Sequence, residues 1–253
     1  MEIAEHITAV AREGKLFAEA ARRTGLDAEV PCCPGWDVRE LVRHLSSVHL
    51  WAAAHVAKRA TEWRGHGPAE LEEYWPDLAI FWPDDDELIN WYLKTNSNLV
   101  NELATAPADL DCLTFLPAPT PLAMWARRQA HETAIHRFDA ESPNRGTTDY
   151  EPVFASDGID ELLMLFAPRW GIPMPDAKTM VVRTTDTDDT WHVTMGPEAI
   201  SVVSGDGPAD CTLTGSASDL YLAVWNRGNP PVTAMGDPEL VATWRENYKF
   251  KWD

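Results

Sequence analysis

A chain of 253 residues is long enough for one or two domains, each with a core of its own. Hydrophobic residues make up 45% and charged residues 24%, which excludes a disordered, collagenous or coiled-coil chain. Twenty-one Lys and Arg against 40 Asp and Glu leave a net charge of −19, and both halves are acidic. Such a surface repels phosphate backbones and anionic lipid, so nucleic acid is not an expected partner.

The opening segment MEIAEHITAVAREGKLF has early acids and no apolar h-region, so it does not read as a signal peptide. No apolar run approaches the ~18 residues of a membrane span, and the expectation is a cytoplasmic protein without membrane contact. Cys32, Cys33, Cys112 and Cys211 include no CxxC pair, so reduced, mostly buried thiols are expected. The twelve tryptophans are scattered and are assigned to packing.

In chain order, a first helix is predicted over 2–24, where Ile3, Ile7, Val10, Leu16 and Phe17 fall near helical spacing and Gly25 ends the run. The stretch Val30-Pro31-Cys32-Cys33-Pro34-Gly35-Trp36 reads as a rigid turn. Asp37 and Glu40 then resemble a capping box opening a second helix, which runs to Arg59 with Leu41, Val42, Leu45 and Val48 on one side. Residues 61–86 look like a long ordered connection. A third helix starts in the acidic cluster Asp84–Glu87, which suits the positive end of the helix dipole, and stops near Ala106. Prolines fill the connection 107–120, and a fourth helix covers 121–140. Four helices of this length predict a four-helix bundle.

The pattern changes after a linker at 142–146. A helix over 157–166 precedes strand-like runs at 180–184, 190–194, 200–203 and 211–214, and helical segments follow at 219–225 and 238–248. The second half is therefore a small α+β domain, and the domains are placed at 1–147 and 148–253. A monomer is compatible with two domains that bury each other.

Glu132 and His136 stand at i and i+4 on the fourth helix, so both side chains point the same way. His44 on the second helix lies between Leu41 and Val48, near the inward face. Two histidines and a glutamate on facing helices would leave a zinc ion one open position, the catalytic pattern. An i,i+4 Glu/His pair is also a common helix hydrogen bond, and a histidine on an apolar face is more often packed than ligating. Spacing alone leaves both readings open. His131 points about 100° away from Glu132 and reads as packing or support. His49 supports the site or lines the bundle. His6, His55, His66 and His192 receive no role.

Several segments together resemble the mycothiol-dependent maleylpyruvate isomerase family of the DinB-like bundle superfamily. They are Cys33-Pro34-Gly35-Trp36, Val38-Arg39-Glu40-Leu41-Val42-Arg43-His44-Leu45 and Ala130-His131-Glu132-Thr133-Ala134-Ile135-His136-Arg137-Phe138-Asp139. In the second half, Asp157-Gly158-Ile159-Asp160-Glu161-Leu162-Leu163 and Leu213-Thr214-Gly215-Ser216-Ala217-Ser218-Asp219-Leu220 are similar to the family's sterol-carrier-like C-terminal domain. The resemblance implies a divalent metal, typically zinc, on His44, Glu132 and His136. It further implies an open position for mycothiol, a low-molecular-weight thiol of actinobacteria, or for an activating water. It also implies a catalytic arginine from the C-terminal domain, matched here by Arg227.

A thiol that loses its proton on a metal is a soft nucleophile. It can add to an electron-poor double bond and leave again, giving isomerisation, or remain on the product, giving S-transfer. Arg227 would pair with a carboxylated electrophile or an enolate-like intermediate; otherwise it is a surface arginine after a helix. Arg128 could pair with Glu132 or stay exposed on the helix, and Arg137 could tie the two domains together. Cys33 belongs to the turn and is read as structural. Asp37 replaces a hydroxyl residue as a helix cap, and Asn226 stands where a glycine is common. The alternatives are a hydrolase using zinc-bound water and a non-catalytic module that binds a ligand or protein.

Overall fold

A computed structural model describes residues 1–63, 65–75, 83–144 and 146–248. The chain divides into two compact units, Met1–Thr148 and a second from Asp149 on.

The first unit is helical. Helix α1 spans Ile3–Thr24, α2 Val38–Ala57, the short α3 Pro68–Tyr74, α4 Asp85–Thr105 and α5 Pro121–Glu141. The four long helices form a ring in which α1 packs on α5 and α4, and α2 packs on the same two, so α2 and α5 are neighbours. The cause is visible in the residues. Val10 and Phe17 of α1, Leu41 and Leu45 of α2, and Leu88 and Leu99 of α4 recur at helical spacing and are buried. The connection expected over 61–86 contains α3, which Pro68 opens at its first turn. Its residues 64 and 76–82 lie outside the described residues, as does Arg145 of the linker.

The second unit carries α6 (Pro152–Asp160), a π-helical turn at Glu161–Phe166 and a 3-10 turn at Ala167–Arg169. There follow β1 (Lys178–Thr184), β2 (Thr190–Met195), β3 (Ile200–Ser204), β4 (Cys211–Gly215), α7 (Ala217–Val224), β5 (Thr233–Gly236) and α8 (Glu239–Asn247). The sheet order is β3-β2-β1-β4-β5, with β1 and β4 parallel and the other pairs antiparallel. Strand β2 buries Trp191, Val193 and Met195 and turns His192 and Thr194 outward, the period-two signal of a one-sided strand. The expected architecture, a helical N-terminal region before a small C-terminal sheet region, is the one observed. Three details differ. Helix α6 begins at Pro152, five residues before Asp157, because a proline at the first helical position opens it. The run that read as one helix widens into a π turn at Glu161–Phe166, and a 3-10 turn follows it. Strand β5 was not expected.

Candidate functional site

Helix α2 is fixed at its start by the capping box. The Glu40 amide donates to the Asp37 carboxylate at 2.9 Å, and the Asp37 amide donates to the Glu40 carboxylate at 3.0 Å. Asp37 therefore caps the helix as a hydroxyl residue would. The preceding turn closes through Cys33 N to Val30 O and Trp36 N to Cys33 O, both 3.0 Å. Gly35 supplies the left-handed conformation (φ 89°) that the turn requires. This hairpin sets the Trp36 ring 5.0 Å from the ring of His44.

The structure brings His44, Glu132 and His136 together, with one ligand-type atom from each within 4.8 Å of the others. Both imidazoles turn Nε2 to the same carboxylate oxygen: His136 lies 3.2 Å and His44 3.5 Å from Glu132 Oε1. The other oxygen, Oε2, accepts a 2.8 Å bond from Arg128. Arg128 is buried rather than exposed on its helix, which corrects one of the two readings open from the sequence. Spacing fixes its direction relative to Glu132 but not what covers it.

His136 Nδ1 sits 3.0 Å from Asp139 Oδ2, one turn on. A ring that donates from Nδ1 to a carboxylate leaves the Nε2 lone pair facing Glu132 Oε1. Two electron-rich atoms at 3.2 Å need a cation between them, and a proton or a metal ion fits. Burial pushes His136 down, but Asp139 and Glu132 outweigh it and raise its pKa above the ordinary value. Burial also pushes Glu132 up, and the bonds from His136 and His44 and the charge of Arg128 hold it well below the carboxylate range. His44 is lowered, chiefly by burial, with Glu132 offsetting part of that. Among these side chains two carboxylates face one guanidinium, so with neutral imidazoles the cluster carries −1. A divalent cation would make it +1, ready for an anionic ligand. The donor set, tautomer and charge therefore fit a divalent metal.

Beyond this group, Cys33 is buried with Sγ 3.6 Å from Asp139 Oδ2, so its thiol belongs to the support of Asp139. His49 Nε2 lies 3.0 Å from Thr133 Oγ1. His131 meets His6 edge-on, with ring centroids 6.1 Å apart. Arg137 is buried and bonds Glu13 at 2.6 Å, Glu141 at 2.7 Å and the Thr148 carbonyl at 2.8 Å, all in the first unit. Arg227 is buried in the second unit, where its amide donates to Leu222 O at 2.8 Å and its Nη1 to Trp225 O at 3.2 Å. Asn226 before it has φ 57°, a conformation asparagine tolerates, which accounts for asparagine at a position that favours glycine.

Sequence reasoning missed Asp139 and His66. Asp139 stands three residues after His136, where an orienting carboxylate reaches the free ring nitrogen, so spacing carried that signal. His66 lies 6.0 Å from the ring of His44 and comes from a connection without periodicity, so nothing in the sequence pointed to it.

Comparison with known proteins identifies the same architecture. Residues 7–141 match the family model of the mycothiol maleylpyruvate isomerase N-terminal domain, and residues 154–243 match that of the MDMPI C-terminal domain. A crystal structure of the mycothiol-dependent maleylpyruvate isomerase aligns with a TM-score of 0.61 at 15% identity, over 92% of this chain and 93% of that one. The structure of a histidine-to-alanine mutant aligns with a TM-score of 0.62 at the same identity and coverage. At that identity the likeness is one of fold. No curated protein matches the chain significantly. Among the described residues, no helix is long and apolar enough to cross a membrane. With both family domains in order, and the first alone spanning more than half of the sequence, the chain belongs to the mycothiol-dependent maleylpyruvate isomerase family.

Proposed function

We propose that the chain is a metal-dependent, mycothiol-using enzyme that acts on a small electrophile, either as a maleylpyruvate isomerase-like isomerase or as a thiol S-transferase, with domains at 1–147 and 148–253. The observation that carries this is the convergence of His44 Nε2, His136 Nε2 and Glu132 Oε1 in a buried site. These three would hold zinc or another divalent ion. A divalent ion held there would lower the pKa of a bound thiol and present it as thiolate at neutral pH.

The chain's own residues prepare the place. Asp139 fixes the His136 ring with Nε2 inward, Arg128 holds one carboxylate oxygen so that the other faces the imidazoles, and Trp36 packs against His44. Burial of Glu132 and His136 keeps water from competing for the donors. The reaction class is nucleophilic addition of a thiol to an electron-poor carbon. Expulsion of the same thiol after bond rotation gives a geometric isomer, and its retention gives a thioether. We assign Arg227 to the carboxylate of the electrophile, since its guanidinium pairs bidentately with that group.

The test is metal content and mycothiol titration on the native protein and on His44→Ala, Glu132→Ala and His136→Ala. About one ion per chain, lost in all three variants and required for saturable mycothiol binding, supports the proposal. Metal without thiol binding would replace it with hydrolysis by activated water. Absence of metal after loading would replace it with a ligand-binding module.

A further inference from the structure

The ring of His44 opens onto a series of aromatic rings. His66 stands nearly perpendicular to it at 6.0 Å, and Trp51 lies 6.2 Å beyond His66. Trp51 in turn meets Trp63 at 5.1 Å, Phe115 at 6.0 Å and Trp125 at 4.9 Å, while Trp63 and Phe115 meet each other edge to face at 5.8 Å. Trp51 sits two helical turns after His44, so it lies on the same side of α2.

The connections that carry these rings are fastened. Leu113 N donates to Ala60 O at 2.8 Å, which joins the two connections to each other. Trp125 Nε1 donates to Leu113 O at 2.9 Å, and His55 sits between Trp51 O and Glu62 O at 2.9 and 3.3 Å. The result is graded exposure: Trp125 and Trp51 are buried, Phe115 is half-buried, and Trp63 stays 61% exposed. One exposed tryptophan is ordinary on any surface. An exposed indole at the end of a fastened run of rings that reaches a candidate metal ligand is not. Trp63 and Phe115 offer flat apolar faces and no charge, backed by the buried Trp51, on a chain of net charge −19 that repels small polyanions.

We infer that Trp51, Trp63, His66 and Phe115 form the electrophile-binding surface beside His44, and that it takes a substrate with a flat aromatic or extended conjugated body stacked against Trp63 and Phe115. This rests on the reading of the His44, Glu132 and His136 site given above and adds its substrate class. A conjugated body is also what makes an unsaturated carbon receptive to a thiol.

The probes are 2-naphthol and its saturated analogue decahydro-2-naphthol, titrated against metal-free and zinc-loaded protein with calorimetric readout. The expected result is saturable 1:1 binding of 2-naphthol, with the analogue about tenfold weaker. Trp63→Ala should weaken 2-naphthol by about three- to tenfold and Trp63→Phe should restore most of it. In cobalt-loaded protein the naphthol proton resonances should broaden relative to the zinc form, because the run of rings that holds the ligand ends at His44. Equal affinity for both probes, indifference to Trp63→Ala, or absence of broadening in protein that holds cobalt would overturn the inference. His44→Ala separates the two readings. Loss of metal with naphthol binding intact is expected, whereas a native protein that takes no metal would remove the metal reading and leave an aromatic-binding surface.

Discussion

Asp139 does not face Glu132 Oε1, yet it decides which nitrogen of His136 does. Its 3.0 Å contact with Nδ1 holds the proton there and raises the basicity of the nitrogen turned inward. Asp139→Asn keeps the shape and removes the charge, so the affinity for zinc should fall by about 10- to 100-fold with the helical circular dichroism unchanged. A chelator competition measures it, and equal affinity would show that the ring is held by packing alone. The direction of His44, Glu132 and His136 was legible because helical spacing and the flanking Leu41 and Val48 fix it, while their grouping as one ligand set came from the family resemblance. What spacing does not carry is cover: Arg128 is buried against Glu132, and Trp36 and His66 approach His44 from a turn and a connection that have no period to read.

At the scale of the element, α5 is unusual because almost every turn of it is buried and much of what it buries is polar. Buried charges persist only when paired. Arg137 answers Glu13 of α1 and Glu141 of its own helix. Arg137→Met takes the buried cation from both carboxylates, leaving Glu13 with Arg12 and Glu141 with the Thr148 amide and hydroxyl, and should cost about 3 kcal/mol, read as a shift of the urea midpoint. Adding Glu13→Gln and Glu141→Gln should recover most of that loss, whereas a loss that persists in the triple variant would mean the arginine's packing mattered more than its charge. The contact of α1 with α4 gives a second case. A Cβ on Gly14 would lie 2.4 Å from Asn96 Nδ2, whose amide donates to Val10 O at 3.2 Å. Alanine gains about 1 kcal/mol of helix propensity, but displacing a buried amide from its acceptor costs about 1–3 kcal/mol. Gly14→Ala should therefore destabilise the native chain and become neutral or stabilising when Asn96→Ala is already present. A thermal melt of the four proteins in that cycle decides it. The long helices and β1 to β4 were legible because each has enough residues to show its period. Strand β5 was not, since Thr233-Ala234-Met235-Gly236 is exposed throughout and is a strand only because β4 lies beside it. The π turn of Glu161–Phe166 was hidden for the opposite reason, its residues being those of any buried helix.

For the molecule as a whole, acid acts through two opposed effects. The charge of −19 shrinks as pH falls toward the sequence pI of 4.7, which relieves self-repulsion and favours the folded state. His49 works against this. Thr133 gives its hydroxyl proton to Gln129 O at 2.7 Å, so it accepts from His49 Nε2, and the ring sits neutral and fully buried. Burial pushes its pKa from 6.5 down to about 3. The unfolded chain therefore binds a proton in that window that the folded chain refuses, and stability must fall as pH drops from about 6.5 toward 3. His49 alone contributes an effect on the order of 4 kcal/mol across it. His44, also lowered, has the same sign, whereas His136, raised by its carboxylates, has the opposite one. His49→Gln keeps a donor for Thr133 and removes the titration, so the difference between its acid curve and the native one isolates His49. Salt separates the charge effect. At about 0.5 M the repulsion between surface carboxylates is screened while a buried ring is not, so the native curve should steepen with salt and the gap to His49→Gln should persist. If the two curves coincide at both salt concentrations, His49 takes its proton without opening the bundle, and water reaches its ring where it packs against Thr133 and Tyr92.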